Sequence, residues 1–315
     1  MSGHLNNGWI YRDRVDGASA GKAVVDFYAE RYRHSTREAW QQRIETGLIL
    51  ADGRRISADE GLTPGQLLTY SRPPWQEPDV PRQIDIVHED SDLIVANKPS
   101  GLPVLPAGGE YLENTMVALI RSRYSADLLP PAPIHRLGRG TSGLVLFARS
   151  AIARRVLSQQ IAIPGGIEKR YRALVQGTPL VDRFVVEEPI GKIPYPALGF
   201  VHAAAAEGKE SRSEVSVCES TGTGDTLVNV DIPTGRPHQI RIHMAVAGHP
   251  LVGEPLYAVG GRPHEPAAGE EKPSLPGDCG YHLHAMRLRF RQPRTFESIA
   301  VYCQPPAILG VTGES

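Results

Sequence analysis

The chain has 315 residues and a formal net charge of -1, so its length suits two domains and its total charge gives no sign of a nucleic-acid partner. Its three cysteines form no CxxC pair, and no apolar run reaches the roughly 18 residues of a membrane helix; both argue against a zinc site, a disulfide framework or a membrane span. We therefore expect a soluble, cytoplasmic, monomeric protein in which any nucleic-acid contact comes from a local basic face.

Residues 1–72 are predicted to form a small N-terminal unit. An apolar stripe with helical spacing starts near Ala23, and residues 37–44 suit a second helix. A strand is expected at 47–53, where it ends in an Asp-Gly turn, and another at 65–70. Four prolines follow within residues 73–82, a density typical of a stiff linker.

The main domain is predicted to span residues 83–310, with a hairpin first and a mixture of strands and helices after it. Asn114 is expected to cap a short helix, and Ser150 is expected to cap a second one. Residues 258–280 are rich in Gly, Pro and Glu and predict an exposed insertion. Further strands are predicted at 144–147, 171–175, 227–232 and 284–290, the last being the final strand, and a helix at 238–247. Irregular interleaving of strands and helices favours an α+β fold around a mostly antiparallel sheet.

Two stretches carry residue types suited to binding an anion. The loop at 134–144 has three glycines within six residues together with Arg136 and Arg139, although a plain surface loop would look the same. The stretch at 234–244 places Arg236 and Arg241 at the start of a predicted helix, where the dipole favours anions, and Pro237 at or just before the first helical position.

Metal binding by histidines is the rival interpretation of the second stretch. His238, His243 and His249 are spaced by five and six residues, which does not align them on one helical face. Core or hydrogen-bonding histidines are therefore favoured, and a metal-dependent hydrolase is disfavoured because no ligand cluster is present. Short basic clusters, such as the alternating arginines at 287, 289 and 291, suit either a phosphate-binding face or a protected edge strand.

Together, these stretches resemble the RluA-type family of RNA pseudouridine synthases over about residues 83–303. The family signature usually reads HRLDxxTSG, and the chain has HRLGRGTSG at 135–143. Its N-terminal unit is similar, more faintly, to the alpha-L RNA-binding domain. The other matching stretches are DLIVANKPSGLPV at 92–104, KRYRALVQG at 169–177, GK at 208–209 with Ser211 and Ser213, GRPHQIRIH at 235–243, GHPLVGEPLY at 248–257 and LHA at 283–285.

The resemblance implies a bent, mixed sheet with flanking helices and an RNA groove across it. It implies isomerisation of a uridine in rRNA or tRNA, in which the C1′–N1 bond breaks and the base rejoins through C5, without metal or organic cofactor. Because the target base must leave its stack, the family uses an arginine, here Arg136, to hold the flipped nucleotide. Tyr171 matches the tyrosine that packs on the base, Arg241 the arginine that pairs with the catalytic carboxylate, and Leu283 the pocket wall. His135, Arg139 and Arg236 are further candidates for contacting RNA.

The family's catalytic aspartate is absent, because position 138 is glycine (Gly138) and position 140 is glycine as well. Neither residue can act as a base or nucleophile. Because an unpaired buried Arg241 would cost several kcal/mol, we expect another acid, an anion, water or an RNA phosphate to replace its partner. Candidate acids are Asp92, Glu168 and Glu254. Two function classes follow: a working pseudouridine synthase with a relocated acid, and a non-catalytic RNA-binding protein or RNA chaperone.

Overall fold

The structure is a computed structural model that describes residues 4–222, 224–265 and 273–313. The chain divides into two units, residues 1–77 and 78–315. No helix in the described ranges is long and apolar enough to cross a membrane. The first unit contains β1 (His4–Leu5), β2 (Trp9–Arg14), α1 (Val24–Arg31), α2 (Arg37–Glu45), β3 (Ile49–Ala51), β4 (Arg54–Arg55), β5 (Leu67–Arg72) and β6 (Gln76–Glu77).

The first unit has its own apolar core between two helices and a four-stranded sheet. Strand order in that sheet is β2-β5-β3-β4, and Tyr28 of α1 and Trp40 of α2 are fully buried against it. Thr36 caps α2 by accepting from the amide of Ala39, and Asp52 adopts a left-handed conformation in the predicted Asp-Gly turn.

The predicted linker starts too early, because β6 lies inside residues 73–82. Strand β6 pairs with β1, and the side-chain amide of Asn6 donates to the Glu77 carboxylate at 2.7 Å. Prolines before and after a two-residue strand do not remove the amides that pair, so proline density alone placed the boundary wrongly. The chain leaves the first unit after Glu77.

The second unit is built on a ten-stranded mixed sheet. Its central order is β12-β15-β16-β11-β17-β10-β8-β7, with β18 also paired to β17 and β9 to β10. The elements are β7 (Asp85–Glu89), β8 (Leu93–Lys98), α3 (Met116–Arg123), β9 (Ala132–Pro133), β10 (Ser142–Ala148), α4 (Ala151–Ala162), β11 (Glu168–Val175), β12 (Arg183–Val186), β13 (Ile190–Tyr195), β14 (Gly199–Ala204), β15 (Ser213–Ser220), β16 (Thr226–Asp231), α5 (Gln239–Val246), β17 (Leu283–Arg291) and β18 (Ser298–Tyr302).

Helices cover both faces of this mostly antiparallel sheet, so the unit has the predicted α+β fold. Alternate residues of a strand point to opposite faces, so Val145 and Phe147 share a core with α3 and α5. Leu144 and Leu146 share a second core with α4. The described pairings in the sheet are antiparallel except that of β10 with β17, which is parallel. That parallel pair joins the two halves of the sheet.

Several local predictions are corrected by the structure. Thr115, not Asn114, caps α3, and Asn114 instead accepts from Arg82 and donates to the carbonyl of Pro78. The helix predicted from 238 begins at Gln239, and Pro237 lies two residues before it. Strand β17 is neither final nor an edge, because β18 follows it and it pairs with β10, β11 and β18. The four strands β12 to β15, which lie within residues 183–220, were not predicted from the sequence.

The parallel junction requires glycine at position 143. Gly143 has φ +108°, and a Cβ there would lie 2.3 Å from the carbonyl oxygen of Ala285 on β17. A side chain would therefore push β10 and β17 apart at the point where they pair.

We expect Gly143→Ala to lower the free energy of unfolding of the second unit by more than about 3 kcal/mol, because it combines an unfavourable φ with a backbone clash. Gly165→Ala is the matched control: its φ is also positive, at +74°, but nothing lies within 4 Å of the position that the added methyl group would take. The control should lose only about 1–2 kcal/mol. Urea denaturation measures both, and equal losses would contradict the clash.

Candidate active site

The glycine-rich loop at 135–141 is held by the segment that follows β8. The buried ammonium of Lys98 donates to the carbonyl oxygens of Pro99, Leu102 and Arg139 at 2.9, 2.7 and 3.1 Å. The amide of Gly101 also donates to the Arg139 carbonyl at 2.8 Å. Burial lowers the pKa of Lys98 to about 7. The segment that follows β8 therefore fixes the backbone of the glycine-rich loop, although the two are about 40 residues apart in the sequence.

A pocket opens where this loop meets β11, α5 and the start of β17. Its floor is the sheet, and its walls combine aromatic and aliphatic side chains with arginines, a mixture typical of a ligand pocket. The lining residues are Arg136, Leu137, Gly138, Thr141, Tyr171, Ile232, Arg236, His238, Gln239, Ile240, Arg241, Tyr281 and Leu283.

The three predicted RNA-contacting residues of the loop have different surroundings. Arg136 is exposed at the pocket and has no hydrogen bond or ion pair within the described ranges. His135 accepts from the amide of Leu146 through Nε2 at 3.1 Å, and burial lowers its pKa to about 3, so the ring is neutral. Arg139 donates to the Gly277 carbonyl and to the Tyr111 hydroxyl. Of the three, Arg136 alone remains available to a ligand.

The start of α5 closes the opposite side of the pocket. His238 caps the helix in a left-handed conformation with φ 55°, and its Nδ1 lies 2.7 Å from the Tyr257 hydroxyl. Because that hydroxyl donates to the His202 carbonyl, His238 donates from Nδ1 and leaves Nε2 as an acceptor. Burial lowers the pKa of His238 to about 3. Arg236 donates to the Glu210 carbonyl at 2.9 Å.

The remaining histidines of the second stretch are structural. His243 is fully buried, with Nδ1 2.8 Å from the Ser213 hydroxyl and Nε2 3.1 Å from that of Ser211. Ser211 and Ser213, the two serines that follow the GK stretch, therefore hold α5 in place through His243. His249 contacts the Gln176 carbonyl instead. In the described parts of the chain, no group of three or more His, Cys, Asp or Glu side chains is arranged to hold a metal ion.

Tyr171 and Leu283 form the apolar wall of the pocket. The two residues lie on neighbouring strands, and both side chains are about 6% exposed. Tyr171 follows a β-bulge between β11 and β17, a device that re-aims a side chain next to a site. Burial raises the pKa of Tyr171, so its phenol is neutral at physiological pH.

Arg241 is buried and paired with Glu254. Its Nε and Nη2 donate to the two carboxylate oxygens at 2.8 and 2.5 Å, and Nη1 donates to the Pro276 carbonyl at 2.9 Å. One carboxylate oxygen also accepts from the amides of Leu256 and Tyr257. Both oxygens of Glu254 are therefore used in holding the arginine.

The other two candidate acids do not reach Arg241. Asp92 is fully buried and accepts hydrogen bonds from Arg294 and from the hydroxyl of Ser150, the residue that caps α4. Glu168 is exposed and lies 3.5 Å from Arg289. Both acids therefore belong to other ion pairs, and neither replaces the missing carboxylate.

Tyr281 is the site residue that the sequence did not indicate. A Cβ at Gly138 would lie 2.8 Å from the Tyr281 hydroxyl, and one at Gly140 would lie 3.0 Å from its ring. The hydroxyl is 3.2 Å from that of Thr141, and the Arg241 guanidinium stacks 4.3 Å from the ring centroid. In the sequence, the glycines at 138 and 140 are the feature that could have indicated Tyr281. Because they lack side chains, they leave a space beside Arg241 that a large side chain can fill.

Comparisons with known proteins agree with this geometry. Residues 92–246 match the family described as RNA pseudouridylate synthase. A Synechocystis protein described as an RNA pseudouridine synthase is 42% identical, covering 91% of this chain and 95% of its own. The chain belongs to the RNA pseudouridine synthase family. RNA pseudouridine synthase 5 of Arabidopsis thaliana is 38% identical over 89% of this chain and 88% of its own.

The fold is also shared with solved structures. The human RNA pseudouridylate synthase domain containing 1 superposes with a TM-score of 0.54 at 24% identity, covering 73% of this chain and 87% of its own. The antiparallel-rich sheet with few helices is thus the architecture expected for this family. In this chain, however, position 138 is glycine and the Tyr281 hydroxyl lies 2.8 Å from where its Cβ would be.

Several arginines of the second unit are paired within the protein. Arg170 forms a bidentate pair with Asp231, and Arg172 is fully buried with Asn229. Arg289 and Arg294 pair with acids as described above. On β17, Arg289 contacts Glu168 and Arg291 donates to the Phe296 carbonyl, so two of the three arginines of this strand make contacts within the protein.

A small basic patch remains beside the pocket and consists of Arg136, Lys169 and Arg236. These residues line an adjoining cavity with an apolar floor. Lys169 is only 7% exposed, and within the described ranges its ammonium makes one long contact, 3.4 Å, to the Thr234 carbonyl. Burial lowers the pKa of Lys169 to about 8. This patch is suited to an anion.

The end of the predicted insertion belongs to the site. Within 258–280, residues 266–272 lie outside the described residues, but Pro276 and Gly277 supply the carbonyls that hold Arg241 and Arg139. Residues 273–280 are exposed or half-buried, and the contacts of their carbonyls with the site are something that composition does not reveal.

We expect Glu254→Ala to lower the free energy of unfolding by about 3–5 kcal/mol, because it leaves a buried guanidinium without its counter-charge. Glu168→Ala, which removes an exposed partner of an arginine, should cost less than about 1 kcal/mol. Combining Glu254→Met with Arg241→Met should restore part of the loss. Urea denaturation distinguishes these cases, and a loss from Glu254→Ala as small as the surface control would show that Arg241 is satisfied without the acid.

Proposed function

We propose that the protein flips a uridine out of structured RNA, either rRNA or tRNA, and isomerises it to pseudouridine in this pocket. The observation that supports the proposal is the convergence of four residues on one cavity. Arg136, Tyr171, Arg241 and Leu283 are far apart in the sequence, yet all four line it. These are the positions to which the family resemblance gives roles in base flipping and pocket formation.

The shape and chemistry of the pocket suit a flipped pyrimidine. Tyr171 and Leu283 offer flat, apolar surface against which a base can pack once it has left its stack. Arg136 is exposed at the pocket, where it can fill the gap in the RNA or hold the displaced nucleotide. The patch of Arg136, Lys169 and Arg236 lies beside the pocket and suits the backbone phosphates that flank the target.

Ribosomal RNA is the first substrate to test. A relative from Neisseria meningitidis, 30% identical over 88% of this chain and 73% of its own, is described as ribosomal large subunit pseudouridine synthase D. We further propose that the N-terminal unit, similar to the alpha-L domain, adds RNA affinity. Cytoplasmic location and a monomeric state stay predictions from the sequence.

We expect the purified protein to form pseudouridine at one or a few positions when incubated with total RNA from cells that lack its gene. Mass spectrometry of nuclease fragments measures the product and its position. Arg136→Ala should lower the rate at least about 100-fold, since base flipping loses its arginine. Arg154→Ala, an exposed arginine on α4 under the other face of the sheet, is the control and should keep the wild-type rate.

Absence of new pseudouridine in rRNA and tRNA, with tight RNA binding retained, would contradict the proposal. That result would support the non-catalytic RNA-binding alternative. Equal rates for Arg136→Ala and Arg154→Ala would instead show that the pocket is not where the uridine binds.

RNA affinity is expected to fall as pH rises through about 8. Lys169 is protonated below its lowered pKa of about 8 and attracts phosphate there; above it the ammonium loses its charge and that attraction. The affinity should decrease by about tenfold between pH 7.5 and 9.5 at constant salt. Fluorescence anisotropy with a labelled RNA measures it. Lys169→Arg keeps its charge and should remove the pH dependence, whereas an unchanged decrease in that variant would exclude Lys169 as the cause.

A further inference from the structure

The space that an aspartate at position 138 would occupy already holds a reactive oxygen. Carboxylate oxygens lie roughly 2.4 Å from the Cβ of an aspartate. The Tyr281 hydroxyl is 2.8 Å from the Cβ position of Gly138, so it occupies space that such a carboxylate would need. Tyr281 is 4% exposed, and its side chain forms part of the pocket lining. Within the part of the chain that the structure describes, the pocket is therefore where a substrate can reach this hydroxyl.

Two groups beside this hydroxyl favour an anionic oxygen. The guanidinium of Arg241, which pairs with the carboxylate in the family, lies 4.3 Å from the Tyr281 ring centroid. The Thr141 hydroxyl is 3.2 Å from the Tyr281 oxygen and is able to donate to it. Both contacts stabilise a phenolate relative to a phenol.

The other polar groups near the pocket are less suited to attack a sugar. Glu254 uses both carboxylate oxygens on Arg241 and on two backbone amides, and it does not line the pocket. Thr141 has no adjacent base among the described residues, and His238 is held by Tyr257. Tyr171 lies on the wall where the base packs. Among the described lining residues, Tyr281 is the remaining nucleophile.

We propose that the Tyr281 phenolate attacks C1′ of the flipped uridine in place of the missing carboxylate. This inference rests on the proposed function. Tyrosine is an established nucleophile at an anomeric carbon in some glycoside-cleaving enzymes, so the chemistry is within its range. The phenol first loses its proton to solvent, and Arg241 and Thr141 stabilise the anion.

The proposed steps conserve atoms and electrons. The bond between the Tyr281 oxygen and C1′ forms while the C1′–N1 bond breaks, and the bonding pair leaves with the uracil as its anion. The uracil turns, and C5 attacks C1′ while the bond to the tyrosine breaks and returns its pair to the phenolate. C5 then loses its proton to solvent and N1 gains one, which completes an isomerisation.

The charges around Tyr281 predict how the rate depends on pH. Burial raises the pKa of Tyr281, as do the nearby Glu254 and Cys279, whereas Arg241 and the hydrogen bond with Thr141 lower it; the net pKa is above its ordinary value. The nucleophilic form is therefore the minor one near pH 7. The rate should rise about tenfold per pH unit through the neutral and mildly alkaline range. An aspartate would be ionised throughout that range and would give a flat profile.

The test compares initial rates of pseudouridine formation at saturating concentrations of the same RNA from pH 6.5 to 9.5, so that the loss of RNA affinity above pH 8 does not affect the profile. Tyr281→Phe keeps the ring and removes the hydroxyl, and it should lose at least about 100-fold in rate while retaining RNA affinity. Tyr195→Phe removes a buried hydroxyl outside the pocket, one that donates to the Ser274 carbonyl, and should keep the wild-type rate. Placing 3-fluorotyrosine at position 281, which has a more acidic phenol, should move the rising limb to lower pH.

Adding a carboxylate tests the same position directly. Tyr281→Phe removes the atom that crowds position 138, so Gly138→Asp combined with Tyr281→Phe should recover activity with a flat pH profile. Wild-type activity in Tyr281→Phe, or a flat profile in the wild type, would overturn the nucleophile assignment and leave the proposed function intact. A wild-type protein that makes no pseudouridine would overturn both.

Discussion

The parallel pairing of β10 with β17 is the constraint on which the site depends. Parallel strands begin at the same edge of a sheet, so the segments that precede them lie side by side. The glycine-rich loop precedes β10, and Tyr281 precedes β17. Gly143 permits the close approach of these two strands, and Gly138 and Tyr281 meet as a consequence. Tyr171 on β11 is opposite Ala285 of β17, which places the pocket wall that Tyr171 forms beside the same junction.

The second constraint is the charge of Arg241. A guanidinium buried at the pocket must be paired, and Glu254 pairs with it fully. That acid therefore substitutes for the absent aspartate as an electrostatic partner and not as a reactive group. Other arginines are paired as well, since Arg170, Arg289 and Arg294 each contact an acid. At the small patch beside the pocket, Arg136 and Lys169 contact no acid among the described residues, and their charge suits phosphate.

The accuracy of the sequence predictions follows the range of the interactions involved. Helices α1, α2 and α4 depend on local spacing, and α2 and α4 also on a capping hydroxyl; all three lie close to where the sequence placed them. The cap of α3 was misplaced by one residue because Asn114 and Thr115 are both good caps. Asn114 instead forms hydrogen bonds with Arg82 and with the Pro78 carbonyl, and such long-range contacts cannot be predicted from local helix propensity.

The sequence by itself determined the family, the α+β class and the residues on the pocket's two signature stretches, because these are encoded as ordered local motifs. It also revealed that position 138 lacks a carboxylate and that Arg241 needs a partner. Only the tertiary structure decided that Glu254 is that partner, since Asp92 and Glu168 were equally acidic candidates. Only the tertiary structure placed Tyr281 against Gly138, because that contact depends on the pairing of two strands that are distant in the chain. A glycine in the sequence indicates that space is available, but it does not indicate which side chain occupies that space.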